Sequence, residues 1–178
     1  GSSQACPYAQ SFPYVARAAL RLAGIRTIAP SIHAHDERIL DSMLRRIGRS
    51  LGSTSSAVRR AAAEAKTAQQ GFESALKERG RAALSALRPG EKAIVIIGRS
   101  YNACDPAMNL NLAAKIRDLG VQAVPLELLP LHRIDLSDIS NMYWRSGQKI
   151  LAAARFIREH PDLYPLYLTN FGCGPDSF

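Results

Sequence analysis

Residues 91–125 read EKAIVIIGRSYNACDPAMNLNLAAKIRDLGVQAVP. Their pattern predicts, in this order, a buried strand, a loop, a helix and a second strand. Residues 93–97 form an unbroken apolar run rich in β-branched side chains, which is typical of a strand covered on both faces. Asp105 followed by Pro106 predicts the start of a helix, and Gly120 predicts its end. Units of this kind wind right-handed into parallel sheets, so this stretch predicts an α/β fold.

Three sections of the chain follow from the patterns around this unit. Residues 1–35 predict an N-terminal βα segment that packs on the sheet or forms a second small α/β lobe. Residues 36–88 predict a helical lobe or arm, and residues 89–178 predict the β-loop-α-β core domain. The expected fold is a flavodoxin-like or Rossmann-like parallel sheet flanked by helices. The core stops where another helix is expected, which predicts a domain truncated at its C-terminus.

Local signals set the expected bounds of the first elements. Pro7 and Pro13 predict a loop over residues 4–12, and a short helix then follows and ends at Gly24. Residues 25–32 predict a short strand, which is interrupted by a proline and is therefore expected near a sheet edge. The N-terminal section is thus expected to contain one helix and one strand.

Four further signals complete the expected order of elements. Asp36 is expected to cap a helix, and Gly80 is expected to bend or split the long helix that follows. Asn141 is expected to cap the last helix, and residues 163–169 predict the third strand of the core domain. A long irregular connection is expected before Asn141 because two prolines interrupt it.

Composition and charge exclude several classes of protein. None of the apolar runs approaches the roughly 20 residues that a membrane span requires, and a secretory signal is not recognisable, so a cytoplasmic protein is expected. The net charge is +8, and the excess lies in residues 1–90, which carry 14 basic and 6 acidic residues. This surplus predicts a basic face for an anionic cofactor or an acidic partner, or else a solvated helical surface. Nucleic acid is disfavoured because aromatic residues do not interleave with the arginines.

Three cysteines are predicted to lie in loops near one edge of the sheet. Cys104 follows the strand at 93–97, Cys173 follows the strand at 163–169, and Cys6 precedes the first helix. Loops at the carboxyl ends of parallel strands, and helix starts there, favour thiolates and other anions. Three thiolates that lack CxxC spacing suit an iron–sulfur cluster better than structural zinc. The alternative is that each cysteine is a small buried apolar residue.

Four segments of the chain resemble a known family. They read CPYAQSFPYVARAA (6–19), IIGRSYNACDPAMNLNLAAKIRDLGV (96–121), NMYWRSGQKILAAARFIREHP (141–161) and YLTNFGCGPDSF (167–178). These segments are similar to the dehydratase-like region of 2-hydroxyacyl-CoA dehydratase and acyl-CoA dehydratase activase-related proteins. The resemblance implies a flavodoxin-like fold, oxygen-sensitive iron–sulfur clusters, and electron transfer that an ATP-hydrolysing activator drives for reductive dehydration of acyl-CoA substrates.

Individual residues carry the resemblance to different degrees. Cys6 and Cys173 match cysteine-bearing motifs of the family, which implies that they are cluster ligands. Cys104 is the third candidate, at a place where relatives carry apolar residues. A Walker-type glycine loop is not found in the sequence, and nothing in it resembles the ATPase domain of the activator. The resemblance therefore does not extend to the ATPase domain of the activator, and the chain alone is not expected to be active.

Polar and aromatic residues near the same edge are predicted to surround the cofactor. The expected cofactor-binding residues are Gly98, Arg99, Tyr101 and Asn102 after the first core strand, and Asn141, Tyr143, Trp144 and Arg145 at the start of the last helix. Asp105 has a plainer interpretation as a helix cap, and Trp144 as a packing residue. Catalytic residues are not predicted, because a Ser/His/Asp set or a pair of carboxylates does not stand out.

These observations leave three hypotheses for the function. The first is a four-iron–four-sulfur electron-transfer module of a 2-hydroxyacyl-CoA dehydratase or activase-related reductase system, with an ATP-hydrolysing activator or other domains as partners. The second is a flavodoxin-like module that binds CoA, another nucleotide or a partner without a metal. The third is that the helical section 36–88 is an arm for docking or homodimer formation.

Overall fold

A computed structural model describes residues 7–28, 30, 36–142 and 144–169. The chain divides into two compact units, residues 1–71 and residues 72–178. In the described part of the chain, none of the helices is both long and apolar enough to cross a bilayer.

The first unit begins with helix α1 (Pro7–Leu22), which starts earlier than its sequence predicts. Pro7 stands at the first helical position, where its missing N–H is not needed, and Pro13 lies inside the helix. The predicted loop over residues 4–12 is therefore wrong from Pro7 onward. Gly24 ends the helix as expected, with a φ of 73° that suits glycine. The predicted strand at 25–32 does not form in its described residues, 25–28 and 30.

Helix α2 (Glu37–Ser50) starts where its capping signal predicts. The carboxylate of Asp36 accepts hydrogen bonds from the backbone N–H groups of Arg38 at 3.0 Å and Ile39 at 3.1 Å. These bonds satisfy two of the donors that a helix leaves unpaired at its start. The predicted cap is confirmed.

Helix α3 (Ser55–Ser85) contacts α2 through residues 55–71, which belong to the first unit. A side chain at Gly48 of α2 would collide with Val58 of α3, so glycine permits this close approach. Lys66 of α3 also pairs with Glu37 of α2 at 2.7 Å, although both side chains are exposed. A pair this exposed stabilises little, so the close apolar contact is the stronger link between the two helices.

The second unit contains a three-stranded parallel sheet. Its strands are β1 (Ala93–Gly98), β2 (Gln122–Pro125) and β3 (Leu163–Leu168), in the order β2-β1-β3. Flavodoxin-like sheets begin with this order. The predicted α/β fold with a parallel sheet is therefore confirmed.

Helices cover the central strand on both of its faces. These helices are α4 (Ser100–Ala103), α5 (Leu112–Asp118) and α6 (Arg145–Arg158). Val95 and Ile97 of β1 pack in one cluster with Ala153, Phe156 and Ile157 of α6. On the other face, Ile96 packs with Ala103 and Ile116. The apolar run of β1 is continuous because both of its faces are buried.

Helix α5 begins later than its sequence predicts. The Asp105 carboxylate accepts hydrogen bonds from the N–H groups of Ala107 at 2.8 Å and Met108 at 3.1 Å, as a cap would. However, Leu110 and Asn111 have φ values of 53° and 57°, which interrupt the helical path. Only turns therefore follow Asp105, and the regular helix starts at Leu112.

Helix α6 also begins later than expected. The backbone N–H of Met142 donates to the carbonyl of Ile139, so this part of the chain is still turning. Trp144 occupies the N-cap position and Arg145 is the first helical residue. The predicted capping role of Asn141 is wrong.

Helix α3 is not split at Gly80, although glycine is a weak helix former. Gly80 is buried, and its Cα faces the backbone of Leu128 in a 3-10 turn, Leu126–Leu128, directly after β2. A β-carbon at this position would collide with the Leu128 carbonyl oxygen. Glycine is present because two backbones approach closely there.

Candidate functional site

The carboxyl ends of the strands form the edge at which the candidate site lies. Because the strands are parallel, β1 and β3 end side by side, with Gly98 paired to Leu168. A β-carbon on Gly98 would lie 2.7 Å from the Leu168 carbonyl oxygen, so a side chain is not tolerated there. The chain leaves β1 at Gly98 and turns directly into helix α4. Ligands of open parallel sheets bind in the crevice at such strand ends.

The loop that leaves β1 is held by backbone and amide hydrogen bonds. Asn102 is 7% exposed, and its N–H donates to the Arg99 carbonyl at 2.8 Å. The side-chain amide of Asn109 donates to the Ala103 carbonyl at 2.9 Å. Tyr101, in contrast, is 51% exposed. The loop therefore presents a half-exposed aromatic ring from a backbone that hydrogen bonds hold in place.

Glu127, in the 3-10 turn after β2, forms hydrogen bonds with two residues that follow β1. Its carboxylate accepts a hydrogen bond from the Ser100 hydroxyl at 2.6 Å through Oε1. Its other oxygen, Oε2, accepts a hydrogen bond from the Cys104 thiol at 3.2 Å. Ser100 begins α4 and Cys104 follows its last residue, so one carboxylate joins both ends of this helix.

The environment of Cys104 keeps its sulfur protonated. Loss of hydration raises the pKa of the thiol most, and the hydrogen bond and negative charge of Glu127 raise it further, to about 12. The positive charge of Lys149, on α6, acts in the opposite direction. Cys104 is an exposed residue, and at neutral pH its thiol donates a hydrogen bond to Glu127. This state disfavours the thiolate that a nucleophile or a metal ligand requires.

The start of α6 adds positive charge to the same edge. Arg145 is exposed at the first helical position, and Lys149 lies near enough to Cys104 to influence its pKa. The side-chain amide of Gln148 donates to the Met142 carbonyl at 2.8 Å and holds the chain that enters the helix. Met142 in turn packs against Gly147, where a β-carbon would collide with its sulfur.

The predicted site residues divide into three groups. Gly98 is the last residue of β1, and Arg99, Tyr101 and Asn102 follow it. Asn141, Trp144 and Arg145 lie at or just before the start of α6. Cys6, Cys173 and Tyr143 lie outside the described residues. Their predicted roles stay predictions. The structure adds Glu127 and Lys149, which the sequence reasoning missed. The position of Glu127 directly after β2 was a signal that could have identified it, because strand exits share one edge.

An iron–sulfur cluster needs several thiolate ligands close together. Among residues 7–28, 30, 36–142 and 144–169, three or more His, Cys, Asp or Glu side chains do not gather in a group that could hold a metal ion. Cluster ligands are thiolates, and the Glu127 carboxylate beside Cys104 opposes ionisation of its thiol. Cys104 therefore does not fit a cluster ligand in this arrangement.

A cavity of about 450 Å³ lies at the opposite edge of the sheet. It is lined by the connection from α3 to β1, including Leu87 and Glu91, and by the connection from α6 to β3, including His160 and Asp162. Parallel sheets place their ligand sites at the carboxyl ends of the strands, and this cavity is at the amino ends. The candidate site is therefore assigned to the edge that contains Glu127.

Comparison with known proteins identifies the family. The family described as CoA enzyme activase uncharacterised domain (DUF2229) matches residues 2–129. The chain belongs to this family. This activase-related domain is thus part of a CoA enzyme activase system, and its function involves partner domains or enzymes. The matched residues include β1, α4, β2 and Glu127, whereas α6 and β3 lie beyond them. Searches of curated proteins and of solved structures gave no match.

Proposed function

We propose that this activase-related domain binds an iron–sulfur cluster and transfers electrons in a 2-hydroxyacyl-CoA dehydratase or related reductase system. Membership of the CoA enzyme activase family supports the proposed system. The observation that carries the proposal is the parallel pairing of β1 with β3, from Ala93 and Leu163 to Gly98 and Leu168. This pairing sends the chain out of both strands at one edge, where the loop after β1 and the start of α6 also lie.

The proposed ligands from this chain are Cys6 and Cys173. Cys173 follows Leu168 by five residues, so at most about 18 Å of extended chain separates it from the end of β3. Cys6 directly precedes the first residue of α1. We leave Cys104, the third candidate, out of the proposed ligand set because its thiol donates a hydrogen bond to Glu127. The remaining ligands of a four-iron–four-sulfur cluster would come from a partner domain or from substrate.

The residues of the edge have defined tasks in this proposal. A bound cluster would supply one-electron transfer. Arg145 and Lys149 place positive charge at the start of α6, which favours a negatively charged, thiolate-ligated group. Asn102 and Asn109 hold the loop after β1 in one conformation. An ATP-hydrolysing activator is the proposed source of electrons, and the chain alone is not expected to turn over an acyl-CoA.

Iron content distinguishes the three cysteines. After anaerobic purification and reconstitution with iron and sulfide, the wild-type chain is expected to bind iron and to absorb near 400 nm. Cys6→Ser and Cys173→Ser are each expected to reduce bound iron at least about fivefold, because a serine hydroxyl is a poor substitute for a thiolate. Iron analysis and anaerobic absorption spectra provide the measurement.

Cys104→Ser is the matched control for these variants. It is expected to retain the iron of the wild-type chain, since the serine hydroxyl can still donate to Glu127. Equal loss of iron in all three variants would contradict the exclusion of Cys104. A wild-type chain that binds no iron after reconstitution would overturn the proposal as a whole.

A second candidate function is recognition of CoA or another nucleotide without a metal. The strand order β2-β1-β3 favours it, because the chain passes from β1 to β2 on one side and then crosses to β3 on the other side of β1. The strand order therefore reverses between β1 and β3, where such sheets form a binding crevice. Titration calorimetry with CoA is expected to give a dissociation constant below about 1 mM if this candidate is correct. Binding should then persist in Cys6→Ser and Cys173→Ser, whereas absence of heat in the wild-type chain would count against it.

A further inference from the structure

Glu127 makes two contacts that join separate parts of the sheet edge. Ser100 and Cys104 stand at the two ends of α4, and both donate to the same carboxylate, at 2.6 Å and 3.2 Å. The carboxylate itself comes from the turn after β2, 23 residues from Cys104 along the chain. The Glu127 side chain thereby joins the segment that follows β2 to the segment that follows β1.

In this group of three side chains, Glu127 accepts both hydrogen bonds, and Ser100 and Cys104 donate them. Within the described residues, Lys149 of α6 acts on Cys104 as a cation and Glu127 acts on it as an anion. Asp105, the next residue in the chain, directs its carboxylate to the N–H groups of Ala107 and Met108. Glu127 is therefore the described carboxylate that contacts the Cys104 thiol, and it adds to the effect that loss of hydration has on the thiol pKa.

We propose that Glu127 is the positioning residue of the candidate edge. Its hydrogen bonds with Ser100 and Cys104, here called the clasp, hold α4 at both ends and keep Cys104 as a hydrogen-bond donor. The clasp fixes the direction in which the chain leaves β1, and so fixes where Arg99 and Tyr101 stand. This role does not depend on whether the edge binds a cluster, a nucleotide or a protein. Its failure and the failure of the proposed function are therefore distinguishable.

The reactivity of Cys104 reports directly on the clasp. Iodoacetamide alkylates thiolates, and peptide mapping by mass spectrometry gives the rate at Cys104 separately from Cys6 and Cys173. Glu127→Gln removes the negative charge while keeping the shape of the side chain. We expect Cys104 of this variant to react about tenfold faster than wild type at pH 8, with a rate profile shifted to lower pH. Desolvation remains, so the rate stays below that of an ordinary thiol.

Two control variants separate the clasp from a general loss of charge or packing. Glu159→Gln removes an exposed carboxylate beyond the end of α6 and is expected to leave the Cys104 rate unchanged. Ser100→Ala removes one arm of the clasp but keeps the charge beside the thiol, so a change of less than about threefold is expected. The expected order of Cys104 alkylation rates is therefore Glu127→Gln fastest, then Ser100→Ala, then Glu159→Gln at the wild-type rate. A general loosening of the loop would not produce this order, because Ser100→Ala would then react as fast as Glu127→Gln.

Two outcomes would overturn the proposal. One is a folded Glu127→Gln variant that reacts at the wild-type rate with the wild-type pH profile. The other needs no variant: Cys104 in the native chain is expected to react at least about 100-fold more slowly at pH 8 than in the urea-unfolded chain. Equal rates in the two states would show that Glu127 does not hold the thiol proton.

Discussion

Gly80→Ala is expected to lower the free energy of unfolding of the second unit by about 3 kcal/mol. The new β-carbon would collide with the Leu128 carbonyl oxygen and would lie 2.9 Å from its carbonyl carbon. Both are backbone atoms and cannot swing aside as a side chain would, so α3 or the turn after β2 must shift. Urea denaturation followed by circular dichroism measures the change.

Gly71→Ala is the matched control, since Gly71 lies in the same helix and a β-carbon there meets nothing within 4 Å. Alanine is the better helix former by up to about 1 kcal/mol, so this variant is expected to be as stable as wild type or more stable. Similar destabilisation by both substitutions would mean that the Gly80 contact is not the cause. The two glycines thus separate helix propensity from close packing.

The Gly80 contact also connects the scaffold to the candidate site. Leu128, which Gly80 contacts, is the neighbour of Glu127 in the turn that follows β2. A displaced turn would move the carboxylate away from Ser100 and Cys104. The end of α3, the turn and α4 therefore form one line of contacts, and a glycine far from the edge in sequence helps to place the carboxylate there.

The fold was predictable where the signal is local. The apolar run at 93–97 predicts β1, which the structure shows as Ala93–Gly98, and residues 163–169 predict β3, seen as Leu163–Leu168. A strand buried on both faces must be apolar throughout, so short runs of this kind are informative. Strand order depends on long-range pairing, which the apolar pattern of each strand does not contain. It therefore required the structure.

The errors in the predicted helix bounds have local physical causes. Asp105 forms a cap-like set of hydrogen bonds, yet the left-handed backbone at Leu110 and Asn111 delays α5 until Leu112. Nothing in an Asp-Pro signal reveals a left-handed leucine five residues after the aspartate, because leucine rarely adopts this conformation. Conversely, Pro13 is tolerated inside α1, where sequence reasoning expects a break.

The candidate site was only partly predictable from sequence. The rule that strand exits share an edge predicts the segment after β1, including Arg99 and Asn102. It did not reveal that Glu127 would meet Cys104, because the partners are far apart in sequence and a lone Glu after a strand is common. The chemical state of Cys104 depends on that meeting. A cysteine that resembles a ligand by position becomes a hydrogen-bond donor through its neighbour.

Phe156→Ala is expected to lower the free energy of unfolding of the second unit by about 4 kcal/mol. Phe156 is 7% exposed, belongs to the cluster between α6 and β1, and stacks on the His160 ring at 4.0 Å. Removal of the ring leaves a cavity under α6, and the surrounding helix and sheet can fill it only in part. Thermal and urea denaturation measure the loss.

Phe72→Ala is the control, because this ring is 59% exposed on α3 and its removal is expected to change stability by less than about 0.5 kcal/mol. Comparable losses in both variants would contradict the assignment of Phe156 to the core.

The expected loss of stability in Phe156→Ala also has a consequence for function. Phe156 holds α6 on the sheet, and the first turns of α6 carry Arg145 and Lys149. A loosened α6 would withdraw positive charge from the edge, so Phe156→Ala should weaken binding of any anionic group there.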